Sequence, residues 1–306
     1  MCGRYAASRK PEDLADVFEV EHWEPTETIE PDWNVAPTKN VWAVLQRPLK
    51  GSGSDEPVRQ LRVLRWGLVP SWAKTPESAA KMINARAETV HEKPSYKRAF
   101  ATRRCLLPAD GYYEWLTPKG EFAQEQKGAR KRPRKQPYFI TPADGSVMAM
   151  AGLFEFWRDR TLPDDHPLAW WRTCTVLTTE AETEPFAGAA EVGRVGRSAP
   201  SAALAGSAGS DGSGEPGEPG EGEPAAGGPR SLADIHPRMP LMLEQDRWAA
   251  WLDPRNDDPD RLLPLLAPPR PGLMRAYPVS PDVSNVRNNA PELTEPLAEQ
   301  PPQTLF

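Results

Sequence analysis

The sequence predicts a single α+β domain, in which mainly antiparallel strands curl into a barrel-like sheet, helices pack outside it and a positively lined groove forms at the amino-terminal end. Three observations lead there. Short apolar segments recur along the chain, bounded by Gly, Pro and Asp, as strands of antiparallel sheets are. Apolar residues at helical spacing occur in only a few places. The breaks in composition read as insertions rather than linkers, because the sequence on both sides of them reads as core.

In chain order, the first helix follows Ser8. Pro11 suits a first turn, Glu12 and Asp13 suit the positive helix end, and Leu14, Val17 and Phe18 recur at helical spacing. Asn34 to Pro37 reads as a turn before a strand over Val41–Gln46. Residues 50–57 (KGSGSDEP) form a hairpin loop before the strand Val58–Trp66. Thr75-Pro76-Glu77 starts a short helix ending near Lys81. Extended segments follow at Met82–Ala87, Cys105–Pro108, Tyr112–Leu116, Tyr138–Thr141, Val147–Phe156 and Thr173–Thr178. A second helix covers Glu244–Leu252, with Trp248, Trp251 and Leu252 on one face and Pro254 as its stop, and another covers Asp260–Leu266.

Composition narrows the functional classes. The chain has 306 residues, 39% hydrophobic and 26% charged. Residues 205–230 hold 9 of its 22 glycines, 4 of its 36 prolines and five acids against Arg230, so that removing them takes the net charge from -6 to -2. The folded part is nearly neutral, and any basic site must come from local clustering. No apolar run approaches the roughly 18 residues that span a bilayer, and MCGRYAASRK has no apolar signal core, so a cytoplasmic protein without a membrane is expected. Cys2, Cys105 and Cys174 are too scattered for a disulfide framework or a zinc site, and no phosphate-loop motif is present, so neither metal nor cofactor is expected. Cys105 and Cys174 lie in apolar strands and read as buried and inert.

The domain is expected to cover residues 1–290 with two insertions. Residues 119–135 carry seven bases and two acids, and form either a solvated loop or a phosphate-attracting arm. Residues 183–230 end in the Gly/Pro/Glu-rich tract, whose composition cannot offset the entropy of ordering, so disorder is expected there. The Pro/Glu-rich tail 291–306 is expected to be frayed.

Cys2 is the most informative position. Methionine before a small residue is normally trimmed, which would leave Cys2 with a free α-amine beside its thiol. These groups titrate near pH ~8 and ~8.5, so both nucleophiles are partly available at neutrality. A 1,2-aminothiol traps an aldehyde in two steps: the amine forms an imine, then the thiolate closes a thiazolidine.

The opening MCGRY, followed in order by NVAPT at 34–38, WGLVPSW at 66–72, INARAET at 83–89, RCLLPADGYYEW at 104–115, IHPRMPL at 235–241 and VSNVRNN at 283–289, resembles the signature blocks of the SOS-response-associated peptidase (SRAP) family of abasic-site-processing proteins. The resemblance implies an SRAP-like fold. It also implies a protein that captures abasic sites in single-stranded DNA as a covalent thiazolidine crosslink through Cys2, after autocatalytic loss of Met1; a monomer is expected. It places the family's catalytic asparagine, glutamate and histidine on Asn84, Glu114 and His236, and its phosphate-contacting arginines on Arg86 and Arg238. Pro37 and Trp72 match positions used against bases beside the lesion, although Ala73 stands where the family can carry a second aromatic. Association with the nucleoid follows when DNA is bound.

Residue chemistry is compatible with those roles. Capture needs sugar-ring opening, imine formation and loss of water, and a positioned carboxyl can relay each proton. Glu114 lies between aromatics, a setting that raises a carboxyl pKa. His236, in a turn, can donate to the departing ring oxygen or to a phosphate. The carbonyl of Asn84 can orient the α-amine. Asn84 and Arg86 share one strand face, and by the same parity Arg4 shares that of Cys2, making Arg4 a third phosphate candidate. Two other functions fit Cys2 less completely: an N-terminal-nucleophile hydrolase or peptidase, and a non-covalent single-strand binding module.

Overall fold

The computed structural model describes residues 2–117, 135–186 and 228–297. Of the basic segment 119–135 only Lys135 is described, and of the 183–230 insertion only 183–186 and 228–230. The expectations for the remainder, and for 298–306, lie outside the described residues.

The described strands are β1 (Tyr5–Ala7), β2 (His22–Trp23), β3 (Asp32–Val35), β4 (Asn40–Pro48), β5 (Pro57–Trp66), β6 (Asn84–Arg86), β7 (Arg104–Ala109), β8 (Gly111–Leu116), β9 (Gln136–Pro142), β10 (Met148–Arg158), β11 (Trp170–Glu180), β12 (Arg238–Pro240) and β13 (Met274–Pro278). The helices are α1 (Pro11–Val17), α2 (Lys97–Thr102), α3 (Leu232–Ile235), α4 (Gln245–Leu252) and α5 (Pro259–Leu262). One sheet runs β12-β11-β10-β7-β4-β5-β2 and closes on itself where β11 pairs with β5 in parallel, Cys174 opposite Trp66. Strands β5, β4, β7, β10 and β11 thus form a closed five-stranded barrel. The second sheet, β13-β9-β8-β1-β3, packs against it.

The apolar runs are continuous because both faces of the barrel strands are covered. In β4, Val41, Ala43 and Leu45 join the core shared with the second sheet, while Trp42 and Val44 join the core under the helices. Strand β10 divides the same way, with Met148 and Met150 on one side and Ala149, Ala151 and Leu153 on the other. Phe18, Phe100, Trp248 and Trp251 cover the outer face, and Phe18 stacks on Trp248 at 4.6 Å between ring centroids. Two glycines are required by close approach. Gly67 has φ +124°, and a Cβ there would lie 2.6 Å from the carbonyl oxygen of Ala79. At Gly111 a Cβ would lie 2.6 Å from the carbonyl oxygen of Ile140.

Several expectations need correction. Asn34 lies in strand β3 rather than a turn, because the segment pairs with β1. The helix expected to start at Thr75 is a single 3-10 turn at Ala79–Lys81. Val17 is 41% exposed, so the buried face of α1 rests on Leu14 and continues into Phe18. The fraying expected from 291 does not begin there: Leu293 is buried, the Leu297 N–H donates to Pro278, and Val279 bridges Pro296. The edges of the 183–230 insertion meet, with Phe186 buried and its N–H donating to the Arg230 carbonyl.

Candidate functional site

The last residues of β11 gather the site. Strand β6 pairs with one stretch of it in parallel, Val176 opposite Asn84 and Thr178 opposite Arg86. Strand β12 pairs with it antiparallel, Thr178 opposite Pro240 and Glu180 opposite Arg238. These pairings carry Asn84 and Arg86, and His236 and Arg238, to the same end of the barrel. Chain residues 2–4 enter beside them.

Cys2 is fully buried in the main core, and its Sγ lies 3.8 Å from the Arg4 carbonyl oxygen it can donate to. Burial, and after it the charge of Glu114, pushes the thiol far above its ordinary range. The side-chain amide of Asn84 donates to the Cys2 carbonyl oxygen at 2.7 Å, and the Oδ1 of Asn84 is buried without a hydrogen-bond partner. The expected link between these residues is present, but the contact is to the Cys2 carbonyl oxygen.

Glu114 alternates on β8 with Tyr113, so it faces inward with Tyr112, and only 6% of it is exposed. Burial pushes its carboxyl up to about 7. His236 caps the short helix α3, whose Ser231 and Asp234 form a reciprocal capping box that fixes the turn. Its Nδ1 lies 4.0 Å from Glu114 Oε1 and 3.0 Å from both the amide nitrogen and the carbonyl oxygen of Arg238, accepting from the first or donating to the second according to the tautomer. Burial lowers its pKa, so the ring is neutral at pH 7. A carboxyl poised near neutrality beside a neutral imidazole and a thiol is equipped for general acid–base chemistry.

The arginines divide. Arg86 is exposed on β6. Arg238 grips Glu88 bidentately at 2.7 and 2.9 Å and also donates to the Thr178 carbonyl at 2.6 Å. Glu88, which the sequence did not single out, therefore occupies the guanidinium edge expected to meet phosphate. The parity argument for Arg4 fails, because β1 begins only at Tyr5. The Cys2 side chain enters the core, whereas Arg4 Nη1 donates to Asn34 Oδ1 at 2.7 Å and to the Val283 carbonyl at 2.9 Å. Asn34, fully buried, donates in turn to Val283, Asn285 and Asn288 carbonyls. Arg4 thereby fastens the NVAPT segment to VSNVRNN.

Trp72 is 66% exposed, and Pro37 is half-buried. Thr38 follows Pro37 with φ +72°, a conformation rare for a β-branched residue, held by its N–H donating to Trp66 at 2.8 Å. Lys135, at the edge of the basic segment, is close enough for its charge to lower the pKa of both Glu114 and His236. Cys105 and Cys174 are buried, and burial raises both thiols. Among the described residues no group of three or more His, Cys, Asp or Glu converges on a metal position, and no helix is long and apolar enough to cross a membrane.

The site thus gathers a cysteine, an amide, a carboxyl and an imidazole at one end of a closed barrel. The chain belongs to the SOS response associated peptidase (SRAP) family, whose model matches residues 1–186 and 226–286. It is 33% identical over 297 residues to the abasic site processing protein YoqW of Bacillus subtilis (strain 168), across 96% of this chain and 99% of that protein. It is 25% identical over 325 residues to the abasic site processing protein HMCES of Xenopus tropicalis, across 95% of this chain and 77% of that protein. A crystal structure of a protein from Bacteroides thetaiotaomicron shares the fold, with a TM-score of 0.65 at 21% identity over 97% of this chain and all of the other.

Proposed function

We propose that this protein processes abasic sites by capturing them covalently in single-stranded DNA through Cys2. The observation that carries the reading is the grip of Asn84 on the Cys2 carbonyl in the same buried site as Glu114 and His236. The names of the SRAP relatives, abasic site processing proteins, point the same way.

In this account, hydrolysis of the Met1–Cys2 peptide bond frees the Cys2 amine. The Oδ1 of Asn84, buried and unpaired, is placed to accept a hydrogen bond from that amine. His236, beside Glu114, assists opening of the sugar hemiacetal. The amine attacks C1′ of the aldehyde, giving a carbinolamine. Protonated Glu114 gives its proton to the departing hydroxyl, water leaves, the carboxylate takes back the proton from the iminium nitrogen, and a neutral imine remains. The Cys2 thiol then adds to C1′ while its proton passes by way of Glu114 to the former imine nitrogen. One water is lost overall, and the product is a thiazolidine. Ring closure consumes the imine, the electron sink that would otherwise promote strand scission, so capture protects the strand. Arg86 and Trp72 would meet the flanking phosphate and base. Self-cleavage at Met1 is the peptidase step of the account.

The test is incubation with an abasic oligonucleotide followed by denaturing electrophoresis. A denaturation-resistant adduct absent in Cys2→Ala supports the proposal. Salt-sensitive binding without an adduct would leave only a binding module, and cleavage of unrelated peptides without DNA capture would favour a hydrolase.

A further inference from the structure

The other end of strand β11 lines a cavity. Around Trp170 and Arg172 lies a cavity of about 1010 Å³, between the β4–β5 hairpin, α2 and the end of β10. Its lining includes eight bases against one acid, Asp55, in a chain whose overall charge is -6. Part of that charge is matched. Arg62 and Arg172 both reach Glu27, Arg103 pairs with Glu155, and Arg158 pairs with Asp164. Arg47, Arg98, Arg160 and Lys50 make no ion pair among the described residues.

Arg47 is the most constrained of these. Its guanidinium is half-buried over Phe156, 4.8 Å from the ring centroid. Burial, and after it the like charges of Arg103 and Arg62, lowers its pKa. Guanidinium groups crowded together without enough carboxylates are stabilised by an external anion with several negative charges. The aromatic residues narrow the choice of anion. Phe156 and Trp170, which is 58% exposed, stand among the arginines. Ser71 on the cavity wall directly precedes the exposed Trp72. Arginines interleaved with exposed aromatic faces form the surface that single-stranded nucleic acid uses, phosphate on guanidinium and base on ring.

We infer that this arginine groove is a second nucleic-acid site, which binds the phosphate backbone of a single strand running past Trp72, away from the lesion site. The inference rests on the proposed function only for the identity of the strand, because the groove itself does no chemistry. Arg172 and Thr178 are six residues apart on β11, roughly 20 Å.

The experiment measures binding of undamaged oligo-dT of about 6 and about 20 nucleotides by fluorescence anisotropy across a salt series. Poly-glutamate of matched charge serves as a control polyanion. The variant Arg98→Glu/Arg160→Glu changes two exposed side chains, and circular dichroism checks its fold. Arg47→Gln is the second variant. The groove predicts that the longer strand binds more tightly than the shorter one, that the double variant weakens it about tenfold, and that the salt slope falls by about two. It also predicts that DNA, and not poly-glutamate, quenches tryptophan fluorescence. Unchanged affinity and slope in both folded variants overturn the inference, as does equal quenching by poly-glutamate. Adduct formation by the unaltered chain separates the two proposals. An adduct together with oligo-dT affinity and salt slope unchanged in both groove variants sinks only the groove, whereas no adduct together with oligo-dT binding that the groove variants weaken sinks only the capture chemistry.

Discussion

Asn84 and Cys2, 82 residues apart in the chain, are joined by one hydrogen bond of 2.7 Å from the asparagine amide to the cysteine carbonyl. Strand β6 holds Asn84 against β11, so the position of Cys2 is referred to the barrel wall. Asn84→Ala should therefore slow adduct formation, by about 10²-fold for a misplacement near 1 Å. Single-turnover rates on an abasic oligonucleotide check this. An unchanged rate would remove Asn84 from the account.

Glu114 gives stability a pH signature. The folded protein holds this proton up to about pH 7, whereas the ordinary carboxyl value is 4.5. The folded state binds more proton between those values, so this contribution is complete below pH 4.5 and is lost as pH rises through 7. The loss amounts to about 3 kcal/mol at most. Thermal melts at pH 5 and pH 8 should show a smaller fall for Glu114→Gln than for the parent. Equal slopes would mean that the carboxyl is not held protonated by burial.

Glu88 engages both terminal nitrogens of Arg238, so in the proposed function phosphate would have to compete with Glu88 for this guanidinium. Glu88→Gln should tighten binding of undamaged single strands and steepen the salt dependence by about one, because Arg238 becomes available. Weaker binding would instead make Glu88 a support that orients Arg238.

Trp72 is exposed and lies beyond the fold's main cores. Trp72→Ala should cost about 1–3 kcal/mol of strand binding with little change in melting temperature. Calorimetry and binding on the same preparation separate the two effects. A large drop in melting temperature would make Trp72 a packing residue.

Arg104 supplies the opposite case. Arg104 is 2% exposed, and its guanidinium donates to the carbonyls of Trp251, Phe100, Ala101, Asp253 and Asn256. An ammonium has only three donors, so Arg104→Lys leaves buried carbonyls unpaired at about 1–3 kcal/mol each. Chemical denaturation should register a loss of several kcal/mol, and an unchanged midpoint would contradict the hub.

The barrel was legible in the sequence because its strands are apolar on both faces, as in β4 and β10. Asn84, Glu114 and His236 were legible through the motif blocks, and the structure brings them together around Cys2. The ion pair of Arg238 was not, because Glu88 lies 150 residues away in sequence and looks like an ordinary surface acid. Arg4 misled because strand parity was applied to residues that precede the strand. The segment 291–297 reads as Pro/Glu-rich, yet Leu293 anchors it. The arginine groove draws on β4, α2, β10 and β11, and none of these stretches alone carries a recognisable basic motif.

The most direct measurement is the intact mass of the purified chain before and after mixing with an abasic oligonucleotide. The account predicts a chain lacking Met1 that gains the mass of the oligonucleotide less one water, with the link localised to Cys2. A stable adduct on a chain that retains Met1, or an adduct that survives Cys2→Ala, would contradict it.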